Sequence, residues 1–407
     1  MGNHALLRDT FPPSLSAGAA VGGRDLHIHP PIAAAREAAT RLLSLADPAV
    51  VDVVLAVLIA NQIDGDALWM VLVAPPSSGK TELLVAASYA PDSRLLSTLT
   101  KKTLISGYKL EGGTDREPSL LEQLKHKTLI LKDFTTIMTL HRDDRSEILG
   151  VLREAYDGRV SKSFGNLKTY EWAGKMGLLA GCTPAIDGHW AVLSALGERF
   201  VFFRLPSGGM DERLEQARKA LEASGNGGEL RKELGEAMKR AYEEGFQRRG
   251  ENQGQVTISR PAEKTLIALA ELVARGRAPV QRDGYTRGVV GLPEPEGPGR
   301  LVKQLRQLMV GLCIIHGKHE PGEEELAILR KVARDTMPPL RATILGALGT
   351  GAAMTQSDLQ MSAGLPRTTA ARELEDCQLL RLVVERQGTW QLSEDARRNM
   401  EDCGILS

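Results

Sequence analysis

The chain has no excess of charge of either sign and no long hydrophobic run. Its 407 residues include 51 Lys and Arg against 51 Asp and Glu, so no global charge attracts nucleic acid and any basic surface must be local. The longest apolar run, near residues 50 to 59, contains Asp52 and is too short to span a bilayer. Because the first residues also lack a charged segment followed by an apolar one, we expect no secretory signal.

Cysteine is scarce as well. The four cysteines, Cys182, Cys313, Cys377 and Cys403, are scattered without the spacing of metal ligands. This pattern argues against a disulfide framework and is typical of reduced thiols. The hydrophobic content of 42% is enough for buried cores, and the length suggests about two to three domains. We therefore expect a cytoplasmic protein without a membrane segment.

The most informative motif is Ala-Pro-Pro-Ser-Ser-Gly-Lys-Thr at residues 74 to 81. It follows an apolar strand pattern at 68 to 73 and precedes a helical pattern at 82 to 89. A loop in this context surrounds the β- and γ-phosphates with backbone N–H groups, Lys80 supplies a positive charge, and the Thr81 hydroxyl can bind Mg²⁺. The motif predicts ATP and Mg²⁺ as cofactors. The residues predicted to bind the nucleotide are Pro76, Ser77, Ser78, Gly79, Lys80, Thr81 and Glu82.

A second candidate for the site is Asp133. It follows the apolar stretch 128 to 131 and comes 53 positions after Lys80. An acid at the end of a buried strand can hold Mg²⁺ or orient the attacking water. The sequence leaves open which of these Asp133 does, and a purely structural aspartate is the alternative. Lys132 stands where a second acid is often found, which predicts slow turnover if Asp133 is the catalytic acid.

The order of the elements predicts an α/β fold. From 68 to 205 apolar strands alternate with helical stretches, which is the pattern of a parallel sheet flanked by helices. The predicted strands are 68–73, 94–98, 128–131, 176–182 and 200–205. The predicted domains are a flexible arm at 1–32, a nucleotide-binding core at 33–207, a helical linker and lid at 208–337, and a carboxy-terminal module at 338–407.

The carboxy-terminal module has the pattern of a winged helix-turn-helix, three helices followed by two short strands. The third helix, near 367 to 377, presents Arg367, Thr368 and Arg372 on its open face, where DNA would be contacted. Residues 338 to 395, however, hold five basic and seven acidic side chains. Since phosphate contacts dominate DNA affinity, a protein-binding or structural role is the alternative.

Four segments in this order resemble the AAA+ ATPases. The resemblance is to the clade with an extra β-hairpin before the sensor-1 strand, which includes the minichromosome maintenance helicases and the Holliday-junction branch-migration motor. Residues 74–81, 129–134, 178–184 and 196–200 resemble the Walker A loop, the Walker B strand, the sensor-1 strand and the helix end that carries an arginine finger. The chain is also similar in general character to ATPases of phages and mobile elements.

The resemblance implies roles for further residues. Thr183 would contact the γ-phosphate or the attacking water. Arg199 would act on the nucleotide of a neighbouring subunit, where a guanidinium stabilises the transferring phosphoryl group. Arg300 would be the arginine that the lid supplies to its own nucleotide, with Arg306 as the alternative.

A hairpin is predicted between residues 158 and 175, with Gly165-Asn166 at its turn. In the helicases that the chain resembles, a hairpin at this point enters the central channel. There Arg159, Lys162 and Lys168 would contact the DNA backbone. A solvated surface hairpin is the alternative.

Two functions are therefore expected. The first is a homo-oligomeric, hexameric ring that hydrolyses ATP and acts on single- or double-stranded DNA as a helicase or translocase in replication or recombination. The second is an ATP-dependent DNA-binding initiator or loader that hydrolyses slowly. The single acid at Asp133 favours the second, whereas the basic hairpin and Arg199 favour the first. A protein remodeller would need an aromatic-hydrophobic channel loop, and residues 101 to 109 are basic instead.

Overall fold

A five-stranded parallel sheet forms the centre of the protein. The computed structural model describes residues 30–45, 47–105, 119–163, 169–190, 199–206, 208–252 and 256–406. The strands are β1 (Trp69–Val73), β2 (Ser93–Leu96), β3 (Lys127–Leu131), β4 (Arg159–Ser163), β5 (Thr169–Ala173), β6 (Met176–Cys182), β7 (Phe200–Arg204), β8 (Met354–Thr355), β9 (Val383–Arg386) and β10 (Thr389–Leu392). The sheet has the order β2-β3-β6-β1-β7, with all pairs parallel. The prediction of an α/β fold is thus confirmed, and the predicted strands lie within two residues of the observed ones.

Helices flank this sheet and continue beyond it. In the first half of the chain they are α1 (Pro30–Leu42), α2 (Ala49–Ala60), α3 (Lys80–Ala87), α4 (Lys101–Leu104), α5 (Leu120–Gln123), α6 (Thr135–Met138) and α7 (Arg142–Tyr156). A short 3₁₀ helix, Pro184–His189, follows β6. The later helices are α8 (Met210–Glu222), α9 (Gly227–Asn252), α10 (Arg260–Arg277), α11 (Gly299–Ile315), α12 (Glu323–Asp335), α13 (Pro339–Leu348), α14 (Gln356–Ala363), α15 (Arg367–Leu379) and α16 (Glu394–Asp402). The predicted arm lies largely outside the described residues.

The central strand β1 separates two hydrophobic cores. Successive side chains of a strand point to opposite faces, so Met70 and Leu72 face one core while Trp69, Val71 and Val73 face the other. All five are buried. A strand buried on both faces is typical of a parallel sheet covered by helices on each side. The loops that follow the strands are therefore the exposed part of this domain.

Helix α2 ties the sheet to the later helices. Its residues from 50 to 60 are all buried, including Asp52. Helix α11 crosses α2 so closely that a Cβ atom at Gly311 would lie 2.4 Å from the carbonyl oxygen of Ala56. Glycine at this position thus permits the two backbones to approach. Within the described parts of the chain, no helix is long and apolar enough to cross a bilayer.

The carboxy-terminal module contains α13 to α16 and a small antiparallel sheet of order β8-β10-β9. It is attached to α10, because the buried Arg341 donates hydrogen bonds to the carbonyl oxygens of Gly276 and Ala278 at 2.7 and 2.9 Å. Helix α16 also packs on α10. The module is thereby held in a fixed position relative to the helices that precede it.

Candidate functional site

The loop at residues 74 to 79 leaves the carboxyl end of β1. Ser77 and Gly79 have φ angles of +64° and +83°, a left-handed conformation that turns successive N–H groups toward the inside of the loop. A Cβ atom at Gly79 would also lie 2.9 Å from Leu43 Cδ2. Both the φ angle and the available space therefore require glycine here. Helix α3 begins directly after it, so its free N–H groups face the same loop.

Two polar groups of this loop lack a protein partner. The Ser78 hydroxyl oxygen is buried and has no hydrogen-bond partner within the described residues. Lys80 is only 8% exposed, and no ion pair joins its ammonium group to another described residue. An unsatisfied buried hydroxyl and an unpaired buried cation are costly unless a ligand meets them. The loop therefore fits an anion such as a phosphate group.

Asp133 follows β3 at the same edge of the sheet. Its Oδ1 atom accepts a hydrogen bond from the Thr135 N–H at 2.9 Å, which caps α6. Strand β6 lies between β3 and β1. Gly181 of β6 allows the main chain after β3 and a side chain of α3 to approach β6 closely. A Cβ atom at Gly181 would lie 2.7 Å from the Lys132 carbonyl oxygen and 2.8 Å from Leu84 Cδ1. Gly181 was not predicted, although a glycine within an apolar strand is a signal of close backbone approach.

The Cys182 thiol lies close enough to Asp133 and Lys80 for both charges to affect its pKa. Burial and the negative charge of Asp133 together raise the pKa of the thiol to about 11, while the positive charge of Lys80 opposes the rise. The Cys182 sulfur lies 3.2 Å from the Thr135 hydroxyl, and the Thr183 N–H donates to that hydroxyl at 3.4 Å. The structure thus brings Lys80, Asp133 and Thr183 to one edge of the sheet.

The remaining residues of the predicted loop differ in their surroundings. Pro76, Ser77 and Thr81 are exposed, so the Thr81 hydroxyl is accessible to a metal ion. Glu82 does not face the loop, because its carboxylate accepts hydrogen bonds from the Arg231 Nε at 3.0 and 2.9 Å. Its predicted contact with nucleotide is replaced in this structure by an ion pair with α9.

Helix α8 lies beside the phosphate-binding loop. Gln216 donates a hydrogen bond to the Ser77 carbonyl oxygen. Lys219 donates to the carbonyl oxygens of Thr40 and Leu43 at 2.8 and 3.3 Å. The first helices after the sheet are therefore connected directly to the loop. These contacts were not predicted, because an exposed polar side chain carries no sequence signal of its partner.

Arg199 lies at the opposite edge of the sheet. It precedes β7, which runs parallel to β1, so about 16 Å of strand separates it from the phosphate-binding loop. Its side chain is 7% exposed, and Nη2 donates to both carboxylate oxygens of Asp157 at 2.8 and 2.6 Å. Its guanidinium group also lies 5.4 Å from the ring centre of Tyr156. Action on a neighbouring subunit would require the pair with Asp157 to open.

Arg300 lies at this amino edge as well. It donates to Glu296 at 3.3 Å. Burial raises the pKa of Tyr156 to about 12, and the positive charge of Arg300 opposes this, so Arg300 is close to Tyr156. Arg306 lines a cavity with Asp64, just before β1. The structure places neither arginine beside Lys80, because α11 packs against α2 on the amino side of the sheet. The expectation that Arg300 reaches the nucleotide of its own subunit does not fit this arrangement.

The predicted hairpin is present as the antiparallel pair β4 and β5, in which Lys162 faces Tyr170. Arg159 is exposed. Lys162 forms an ion pair with Glu147 at 2.7 Å, and both side chains are partly exposed. Lys168 and the predicted turn lie outside the described residues. Of the two basic side chains in the described part of the hairpin, Lys162 is already paired with an acid, while Arg159 is exposed.

The third helix of the carboxy-terminal module presents a different surface. Arg367, Thr368 and Arg372 are all exposed on one face of α15. Neither arginine forms an ion pair with a described residue. Four of the acids in the module pair with arginines, namely Glu373 with Arg341, Glu375 and Asp376 with Arg282, and Asp395 with Arg275. Ion pairs thus neutralise part of the acidic charge of the module, while Arg367 and Arg372 stay exposed on α15.

A buried charged cluster lies away from the loop, between α2, α11 and α12. Asp52, His316 and Glu324 have the spacing of metal ligands. Arg36 and Lys318 already pair with these acids, and His316 Nδ1 lies 2.5 Å from Glu325. Two cations in the cluster make it an internal ion-pair network and a poor site for a metal ion.

No family model matches the chain, and no curated protein sequence matches it.

Proposed function

We propose that this protein is an AAA+ type P-loop ATPase that binds ATP with Mg²⁺ and binds DNA in a nucleotide-dependent way. The observation that carries the proposal is the convergence of Lys80, Asp133 and Thr183 around a left-handed loop that contains the unpartnered Ser78 hydroxyl. Backbone N–H groups, a buried lysine and a strand-end acid are what a nucleoside triphosphate requires.

The chain's own groups would act as follows. Lys80 and the loop N–H groups would bind the phosphate oxygens, and Thr81 with Asp133 would hold the metal ion, which supplies charge neutralisation at the phosphates. Oδ1 of Asp133 already accepts the Thr135 N–H, so the other oxygen is left for water or metal. Thr183 directly follows β6, the strand between β1 and β3, and could orient that water. Lys132 stands where a second acid is often found, and the end of β3 therefore carries Asp133 as its one acid, which favours slow hydrolysis.

The ion pairs favour a DNA-binding switch over a motor. A translocating ring needs a free arginine finger and a basic channel hairpin, but Arg199 is paired with Asp157 and Lys162 with Glu147. The exposed face of α15, with Arg367 and Arg372, is ready to contact phosphate without rearrangement. We therefore interpret residues 338 to 407 as a winged helix that binds DNA, and the protein as an initiator or loader.

The experiment compares Lys80→Ala with Lys303→Ala, which removes an exposed lysine at the other edge of the sheet. Lys80→Ala should abolish ATP hydrolysis while leaving the folded state intact, because the lysine faces the ligand and not the core. Lys303→Ala should hydrolyse ATP as the wild type does. Full ATPase activity in folded Lys80→Ala would refute the assignment of the nucleotide site.

A hexameric motor is the second candidate. The paired strands β4 and β5 and the position of Arg199 at the edge opposite Lys80 favour it, because a head-to-tail ring would bring Arg199 toward the next subunit's nucleotide. Strand displacement on forked DNA separates the two candidates. The switch predicts DNA binding without displacement, whereas ATP-driven displacement that Lys80→Ala abolishes would establish the motor.

A further inference from the structure

The segment from Gln281 to Val290 forms a compact turn that projects from the protein between α10 and α11. Asp283 holds the turn together, since its Oδ1 accepts the N–H groups of Tyr285 and Thr286 at 3.0 and 2.6 Å and the Thr286 hydroxyl at 2.8 Å. The Asp283 N–H donates to the Gly288 carbonyl oxygen at 2.9 Å. The turn is therefore a defined structure, and its tip has a fixed shape.

Tyr285 stands at this tip and is 96% exposed. A single exposed apolar side chain is normal on a protein surface, so a role for Tyr285 depends on the charged side chains near it. The surrounding hydrogen bonds use the backbone and the side chains of Asp283 and Thr286, and none of them uses the Tyr285 ring. The turn thus presents an aromatic ring to the solvent without a structural role for that ring in the described part of the chain.

Arg282 fixes the turn to the basic face of α15. Its guanidinium group donates to the Arg287 carbonyl oxygen within the turn at 3.0 Å and to Glu375 of α15 at 2.8 Å. It also donates to Asp376. One partly buried arginine therefore both orients the turn relative to α15 and neutralises two acids of that helix.

Exposed arginines lie on the turn and on α15, the helix to which Arg282 joins the turn. Arg287 on the turn and Arg367 and Arg372 on α15 are exposed, and none forms an ion pair with a described residue. Asp283 carries the negative charge of the turn, and three groups of the turn donate hydrogen bonds to its carboxylate. An aromatic ring beside unpaired arginines is the combination with which proteins bind single-stranded nucleic acid, because bases stack on the ring while phosphates meet the cations.

We propose that Tyr285 is a stacking platform for an unpaired base of single-stranded DNA that lies next to the DNA contacts of α15, with Arg287 on the adjacent phosphate. The proposal depends on the proposed function for DNA binding itself and adds the preference for a single-stranded segment. A base inside a duplex has both faces covered by its neighbours, so an exposed tyrosine ring gains little from duplex DNA.

The test measures the affinity of the full-length protein for a single-stranded oligonucleotide of about 20 nucleotides and for the blunt duplex of the same sequence. Tyr285→Ala should weaken single-strand binding roughly tenfold, leave duplex binding unchanged and leave its dependence on salt unchanged. Tyr285→Phe should restore binding, since the ring suffices for stacking. Arg287→Ala should lower the salt slope by about 0.7, the value for one phosphate contact on a single strand. Leu292→Ala, another exposed apolar side chain (83%), is the matched control and should bind normally.

The outcomes separate this proposal from the one on which it depends. If Tyr285→Ala binds single strands like the wild type while changing Arg367 and Arg372 to Ala abolishes binding, the stacking proposal is wrong and DNA binding by α15 stands. Equal losses for single strand and duplex, or a loss with Leu292→Ala, would also overturn it. If the wild type binds neither the single strand nor the duplex, both proposals fail.

Discussion

The buried charged cluster around His316 makes the stability of the protein depend on pH in a defined direction. The His316 side chain is 6% exposed and contacts Asp52 at 3.3 Å. Burial alone lowers its pKa, but hydrogen bonds to Asp52 and Glu325 raise it by more, from the ordinary 6.5 to about 9. The folded state therefore holds the proton more tightly than the unfolded chain does.

The magnitude follows from this difference. A pKa of about 9 against 6.5 corresponds to roughly 3 kcal/mol of stabilisation below pH 6.5. Since the folded-state pKa is raised, this contribution is lost as the pH rises toward 9, and about 2 kcal/mol of it should disappear between pH 7 and pH 9. The pKa of Glu325 is shifted in the opposite direction to that of His316. Burial raises its pKa, but hydrogen bonds from His316 and Lys318 lower it to about 2, so its contribution is lost as the pH falls from 4.5 toward 2.

The assay is urea unfolding of the wild type, His316→Gln and His319→Gln at several pH values between 6 and 9. His316→Gln leaves Asp52 and Glu325 with one cation fewer, so it should lower the free energy of unfolding near neutral pH by about 3 kcal/mol or more. It should also remove the decline between pH 7 and pH 9. His319→Gln changes an exposed histidine nearby and should keep the decline. A His316→Gln protein with the wild-type pH dependence would refute the reasoning.

Two further predictions concern the sheet. Gly181→Ala should destabilise the protein by roughly 1–3 kcal/mol in chemical denaturation and impair ATP hydrolysis, because the new methyl group overpacks against the main chain that leads into Asp133. Gly150→Ala, in α7 with no atom near the new methyl group, should not destabilise it, and equal effects would contradict the argument. If the protein acts as the hexameric motor, Asp157→Ala should release Arg199 and raise the ATPase rate of the assembled protein, whereas Arg199→Ala should abolish hydrolysis. Unchanged rates in both variants would exclude a role for Arg199 in hydrolysis.

The sequence predicted the sheet and the phosphate-binding loop well because both depend on local patterns. Five apolar runs separated by helical stretches place the strands, and the order strand, loop, helix around Lys80 is visible in the chain itself. The observed β2 and β3 each begin one residue before the predicted strands, since the polar residues Ser93 and Lys127 also pair in the sheet.

The parts that the sequence could not predict depend on contacts between distant segments. Arg199 has the same local sequence whether it is exposed or paired with Asp157, 42 positions earlier. Counting charges likewise suggested an acidic carboxy-terminal module. In the structure Arg282, which lies outside that module, neutralises Glu375 and Asp376, 93 and 94 positions later. Such pairings are set by the packing of helices and carry no periodic signal.

The most direct test of the account is the affinity of the protein for DNA with and without ATP and Mg²⁺, measured for the wild type and for Lys80→Ala. The account predicts that ATP strengthens DNA binding by the wild type about tenfold, a coupling typical of two linked sites. Lys80→Ala should bind DNA as the wild type does without ATP and should not respond to the nucleotide. Equal DNA affinity of the wild type with and without ATP would contradict the proposal that nucleotide binding controls DNA binding.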